Sequence, residues 1–352
     1  MSGQVRLSDV AKAAGVSLGT ASNTFNRPDR VRPEVRELVE TAARKLGYSG
    51  PNPKGRLLMG GKVNAIGVVF RDWLASFFDD PARRDFLAGV AEACDAAGVG
   101  VALISAKTET SQWGVGSAVV DGFIVNCLEG TEAIIEIAQT RKLPLVVVDI
   151  EVPAHISSVR IDDRGGAREA ARHLLKLGHR RFAIIAIDLA KERQLQLLTA
   201  EQVRTNSNYP FVRQRLEGYA DALSEAGVSI DDVPILGSTY ESTGTKAAAS
   251  RILDVAPDAT AILAMSDSLA LPVVAEAQKR GLVVPRDLSV VGYDDVADAD
   301  KATPPLTTVA QPILEKGRRA ARLILEGGPP QHIMLPVKLI VRGTTAPPLT
   351  PL

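Results

Sequence analysis

The feature that most constrains the fold runs from about residue 63 almost to the C-terminus. Short apolar runs alternate with longer amphipathic stretches, and the alternation restarts once midway. Ala65–Phe70 reads as a buried strand and 83–97 as a helix. Strands 100–104, 122–125 and 145–148 follow, with 132–140 helical between the last two. The pattern then resumes with helix 165–177 and strand 181–187, helix 213–226 and strand 233–236, and helix 243–255 and strand 261–264. Strands separated by helices pair in parallel, and the helices cover both faces of the sheet. Two such runs predict two α/β lobes, with a crevice at the carboxyl ends of their strands. Residues 188–210 read as a long polar connection beside that crevice. With 45% hydrophobic residues in 352, the chain has apolar material for two or three domains.

The first sixty residues follow a different rule. Residues 1–62 hold eleven Lys/Arg against five acids, a net +6 that the rest of this formally neutral chain balances with −6. A basic head on an acidic body points to a polyanionic partner for the head. Ser8 is expected to cap one short helix, and Gly15 to end it. Ser17 then caps a second, Leu18 to Asn26. Two short helices joined by a tight glycine turn make a helix-turn-helix. A third helix follows, with Pro33 at its first position, an apolar stripe of Val35, Leu38, Val39, Ala42 and Leu46, and Gly47 as its stop. Residues 49–62, with Pro51, Pro53, Gly55, Gly60 and Gly61, read as a linker.

Enzyme chemistry is not expected. His155, His173, His179 and His332 lack metal-ligand spacing. The chain has no P-loop or C-x-x-C, and Gly165-Gly166 opens no dinucleotide fingerprint. No cofactor or metal is expected. No stretch reads as a signal peptide or a membrane span, and Cys94 and Cys127 read as free thiols of a reducing compartment, so a cytoplasmic protein is expected.

The segment LSDVAKAAGVSLGTASNTFNRPDRVRPEVRELVETAARKLGYSGPNP resembles the DNA-binding head of the lactose-repressor (LacI/GalR) family. The matching features come in order: DVA-x-x-AGVS, then T-x-S, Asn26, Val31-x-Pro33-x-x-Arg36 and LGY-x-x-x-NP. Further on, VRIDDRGGAREAARHLLKLGHRRFAII, AILAMSDSLAL, VPRDLSVVGYDDVADADKATPPLTTVAQP and GRRAARLIL resemble that family's regulatory core. That core is similar to periplasmic sugar-binding proteins: two lobes, three crossover strands and a ligand between the lobes.

The resemblance implies a helix-turn-helix domain over 1–50, a hinge over 51–62, a core over 63–342 and a tail over 343–352. The crossovers are expected near 160, 292 and 326. The first lobe would then hold about 63–160 and 292–325, and the second about 161–291 and 326–342. The second head helix would lie in the major groove of DNA. Leu18, Gly19 and Asn23 occupy positions that read bases, while Ser17, Thr20, Ser22, Asn26 and Arg32 complete the expected DNA face. The plainer role of Thr20 and Ser22 is local capping. Asn23 stands where many members carry Arg; Asn pairs best with adenine and Arg with guanine, so a different half-site is expected. Leu58 matches the leucine that wedges into the minor groove. Gly55, usually alanine, weakens the hinge helix by roughly 1 kcal/mol.

In the core, Arg215, Asp294 and Ser266 match effector-binding positions, and Trp73, after the first strand, is placed to stack on a ring. Their plainer readings are an ordinary ion pair for Arg215, turn bonding for Asp294, and core or interface packing for Trp73. The implied protein is a homodimeric transcription regulator, in first place a repressor. It would bind a pseudopalindromic operator under control of a small molecule, a sugar before a nucleoside. A small-molecule receptor without specific DNA binding is the alternative.

Overall fold

The computed structural model describes residues 5–26, 28–48, 50, 62–70, 74–106, 114–126, 132–187, 195–207, 209–238 and 242–349. The chain divides into two units, Met1–Val63 and Asn64–Leu352. Among the described residues no helix is long and apolar enough to cross a membrane.

The first unit is helical: α1 (Leu7–Ala13), α2 (Leu18–Asn26) and α3 (Pro33–Leu46). Val10, Ala11, Ala14, Ala21, Val39, Ala42 and Ala43 form its core, closed at one side by Phe25 edge-on to Tyr48. Small side chains let three short helices approach closely enough to share one core. Gly15 takes the left-handed conformation (φ +65°) that ends α1, and Ser17 Oγ accepts the Thr20 amide at 3.0 Å to start α2. Two expectations are corrected here. Helix α1 begins before Ser8, and its first turn is closed by the Asp9 carboxylate, which accepts the Arg6 amide at 2.9 Å. The buried stripe of α3 is also narrower than expected, because Leu38 remains 53% exposed and Leu46 38%. Three small helices have too little depth to cover both edges of that stripe.

The second unit holds two sheets. The first is ordered β12-β5-β4-β3-β1-β2, from β1 (Ala65–Phe70), β2 (Gly100–Ser105), β3 (Phe123–Asn126), β4 (Leu145–Val148), β5 (Ser157–Ile161) and β12 (His332–Leu335), all parallel. The second is ordered β13-β11-β10-β9-β6-β8-β7, from β6 (Phe182–Ile187), β7 (Gln196–Leu198), β8 (Ile235–Ser238), β9 (Ala261–Ala264), β10 (Ser289–Asp294), β11 (Thr307–Ala310) and β13 (Lys338–Ile340). It is parallel except at its two edges, where β7 and β13 run antiparallel.

Each lobe carries a helix pair brought together by glycine. In the first, helix 81–96 meets helix 313–326. A Cβ on Gly89 would stand 1.9 Å from the Leu314 carbonyl oxygen, and one on Gly317 would stand 2.1 Å from that of Phe86. In the second, helix 163–176 meets helix 210–225, where a Cβ on Gly218 would stand 2.2 Å from the Arg164 carbonyl oxygen.

The chain passes between lobes after Ile161, after Ala310 and after Leu335. This corrects the crossings expected near 292 and 326: β10 and β11 both pair in the second sheet, and β12 returns to the first before β13 joins the second. The expected tail is corrected too. Thr344 is fully buried, its hydroxyl donates to the Val290 carbonyl at 2.7 Å and accepts the Thr307 amide at 2.8 Å. It thereby staples β10 to β11. Within 188–210, where a long polar connection was expected, stand β7 and helix 200–206.

Candidate functional site

The carboxyl ends of the strands face a cavity between the lobes. Its walls include Phe70, Phe77, Asp80, Phe86, Asn126, Asp149 and Lys316 from the first lobe, Phe211, Arg215 and Asp294 from the second, and Gln311 from the second crossing.

The second-lobe wall is organised by Arg215, only 3% exposed on helix 210–225. Its Nε donates to Asp163 Oδ1 at 2.8 Å, one Nη donates to the Met265 carbonyl, and the same Nη lies 3.7 Å from Asp294 Oδ1. The guanidinium carbon stands 3.5 Å from the centre of the Tyr293 ring and 4.7 Å from that of Phe211. A planar cation with five donors satisfies all of these at once; an ammonium would not. Burial works against the Arg215 charge, but Asp163 and Asp294 outweigh it and hold the guanidinium firmly protonated. Burial also raises the Asp163 carboxyl and pushes that of Asp294 well above the carboxylate range, with Arg215 pulling against both.

Asp294 reaches this position through backbone that side chains seldom adopt: φ is +123° at Asp294 and +60° at Asp295. Such residues cost on the order of 1–3 kcal/mol and persist only where neighbours hold them. Asp267, fully buried, supplies the hold. Its Oδ2 accepts the Val296 amide at 3.0 Å and its Oδ1 accepts the Thr308 hydroxyl at 2.6 Å. Residue 292 must be glycine, since a Cβ there would lie 2.2 Å from Asp267 Oδ1. Arg342 pairs with Asp295 at 2.7 Å from the other side. Burial pushes the Asp267 carboxyl up to about 7, against the pull of the groups that donate to it.

The first-lobe wall is organised by Lys316, 4% exposed on helix 313–326. Its Nζ donates to Asp149 Oδ2 at 2.7 Å and to Gln311 Oε1 at 2.6 Å. Gln311 Nε2 in turn donates to Asp294 Oδ1 at 2.6 Å. One polar chain therefore runs from Arg215 through Asp294, Gln311 and Lys316 to Asp149, from lobe to lobe. Asp80 caps helix 81–96 by accepting the Ala82 amide at 3.0 Å and stands 3.5 Å from Arg83, its carboxyl raised by burial.

Of the expected cavity residues, Arg215 and Asp294 come together. Ser266 does not line the cavity: it is 1% exposed and precedes helix 267–279, where its backbone carbonyl accepts the Ala270 amide. Trp73 lies outside the described residues, as does Leu58. In the first unit, Ser17, Leu18, Gly19 and Asn23 are exposed along the start of α2, Leu18 by 56%. Thr20 is half-buried and its hydroxyl lies 2.9 Å from that of Ser17; Ser22 is half-buried. Arg32 is exposed and precedes α3 without a side-chain cap; Asn26 ends α2, its side chain outside the described set.

Sequence reasoning missed Asp163, Asp149, Gln311 and Lys316. One signal was legible. Lys316 falls on the stripe Ile313, Gly317, Ala320, Ala321 and Ile324, which is otherwise apolar or small, and a lysine on a buried face needs a partner. The partner, Asp149, is 167 residues away and carries no local mark.

The pattern of bacterial regulatory proteins of the lacI family matches residues 6–52, and that of a periplasmic binding protein-like domain matches residues 171–345. The chain is 38% identical over 353 residues to an HTH-type transcriptional regulator of Mycobacterium tuberculosis, covering 97% of each. Among solved structures, it is similar to the lac repressor dimer bound to operator and the anti-inducer ONPF (TM-score 0.78, 26% identity, 97% of this chain and 99% of that one). It is also similar to the transcriptional regulator CelR in its cellobiose complex (TM-score 0.68, 29% identity, 97% of this chain and 100% of that one).

Proposed function

This chain belongs to the lacI family of bacterial regulatory proteins and is a DNA-binding transcriptional regulator with an effector-binding domain; on that premise we propose that it is a repressor whose operator affinity is set by a sugar held between the lobes. The observation that carries this reading is the polar chain from Arg215 to Asp149, which spans the cavity through Gln311. Paired charges and planar amides beside Phe70, Phe77 and Phe211 suit a polyhydroxyl ring, whose hydroxyls both donate and accept. A sugar that replaces Gln311 as the partner of Asp294 changes what joins the two lobes. Linkage then requires sugar and operator to alter each other's affinity by one factor.

The cellobiose complex of CelR and the operator complex of the lac repressor support the sugar and the repressor parts of the reading. Two copies of the head, each laying α2 in a major groove, read a pseudopalindromic operator as a cytoplasmic homodimer. Head 1–50, hinge 51–62 and core from 63 divide the labour. Leu18, Gly19 and Asn23 face the bases. Ser17, Thr20, Ser22, Asn26 and Arg32 serve the backbone, Leu58 wedges the minor groove and Trp73 stacks on the ligand.

The test is the affinity of purified protein for fragments of its own upstream DNA, at two salt concentrations, with and without sugars and nucleosides. Tight, site-selective binding that one sugar weakens is expected. A nucleoside effect in place of a sugar effect moves the ligand class. Salt-labile binding that no compound shifts points instead to a receptor without specific DNA binding.

A further inference from the structure

Resting on the sugar reading, we infer that Lys316, neutralised by Asp149, determines specificity from the first lobe by donating to a hydroxyl of an uncharged ligand and making the cavity reject the ligand's anionic counterpart. An ammonium has three donors. Two are committed, to Asp149 Oδ2 at 2.7 Å and to Gln311 Oε1 at 2.6 Å, and Lys316 lines the cavity, which gives the third an oxygen to find there.

The charge balance of the walls decides which oxygen. Among the described residues, the three cations that line the cavity each have an acidic partner: Lys316 has Asp149, Arg83 has Asp80 at 3.5 Å, and Arg215 has Asp163 at 2.8 Å. Asp294 adds a further carboxyl against Arg215. Among the described residues no cationic excess is left to receive a phosphate or a carboxylate. Burial already holds the carboxyls of Asp80, Asp163 and Asp294 above their ordinary range, so another negative charge meets walls that resist their own. A neutral hydroxyl asks for none of this: it accepts from Lys316 and donates to a carboxylate.

The pair also defines its own reversal. Asp149→Asn keeps the shape and removes the neutralising charge, leaving Lys316 as a net cation in the cavity wall. Titration calorimetry on the full-length protein compares D-ribose, D-glucose and cellobiose with ribose 5-phosphate, glucose 6-phosphate and cellobionate. Wild type is expected to bind at least one neutral sugar and to bind its anionic counterpart at least tenfold more weakly. Asp149→Asn is expected to raise affinity for that anion at least tenfold. The double variant Asp149→Asn with Lys316→Met, which buries no unpaired charge, is expected to lose at least tenfold in affinity for the neutral sugar without gaining the anion.

An anion bound by wild type as tightly as its neutral sugar overturns the inference and leaves the sugar reading standing. So does a double variant that binds the neutral sugar like wild type, should the single variant fail to fold. Silence in all six titrations overturns the sugar reading and this one with it.

Discussion

The two lobes bury charge in different ways. In the second, Arg215 is fixed by Asp163, the Met265 carbonyl, Asp294 and the Tyr293 ring, all on elements of that lobe. In the first, Lys316 is fixed by one carboxylate, and its second contact goes to Gln311 on the crossing. A guanidinium spreads its charge over five donors in one plane and is held from several directions; an ammonium is a point. The second lobe therefore presents a braced anchor, and the first presents a group whose surroundings depend on how the lobes meet. The brace behind Asp294 deepens the contrast, with Asp267, Gly292, Thr308 and Arg342 all serving one turn.

The sharpest way to break this contrast is to remove the anchor. Arg215→Met leaves two buried carboxyls beside each other, and truncating one side of a buried pair costs about 3–5 kcal/mol. Urea unfolding is expected to show that loss, with effector response abolished. A stability near wild type would mean that the anchor is not braced as described.

The glycine contacts come next. Gly89→Ala places a Cβ 1.9 Å from the Leu314 carbonyl oxygen and Gly218→Ala places one 2.2 Å from that of Arg164, so each is expected to cost about 1–3 kcal/mol as the helices separate. Should the lobes unfold as one unit, the two variants shift a single transition alike. An early transition in Gly89→Ala alone would assign the weaker lobe.

The brace has a pH signature. The folded Asp267 keeps its proton up to about 7, whereas an unfolded aspartate releases it near about 4. Its contribution to stability is full below that lower value and declines as pH rises through the window between the two. Urea midpoints measured across the window are expected to fall in wild type and to fall less in Asp267→Asn. Parallel curves would remove Asp267 as the titrating group.

The smallest expected effect lies in the head. Ser17→Ala removes the acceptor of the Thr20 amide and costs about 1 kcal/mol, read as a lower melting temperature of the first unit with the second unchanged.

Legibility followed the range of the interactions. The head could be read because its signals are local: a cap at Ser17, a left-handed Gly15, a proline opening α3 at Pro33 and a stop at Gly47. The parallel sheets could be read because the alternation of strands and helices leaves little other pairing. Arg215 and Asp294 were found by resemblance of the segments around them. The crossings expected near 292 and 326 failed for a physical reason: nothing local distinguishes a strand that completes one sheet from a strand that begins the return to the other. Strands β10 and β11 pair with each other across a connection that holds helix 297–301, and the pairing of β10 with β9 assigns them to the second lobe.

By itself, then, the sequence determined the kind of domain at each end and the two-lobed plan, since these follow from periodicity, capping and composition within short windows, while the family came from the resemblance of whole segments. Only the tertiary structure decided the wiring of the cavity. Asp149 and Asp294 lie far from Gln311 and Lys316 or on the other lobe, and the four become one chain of hydrogen bonds because three crossings bring the strand ends to a common crevice. The strength of a buried charge depends on which partners arrive there, and the partners are set by the fold.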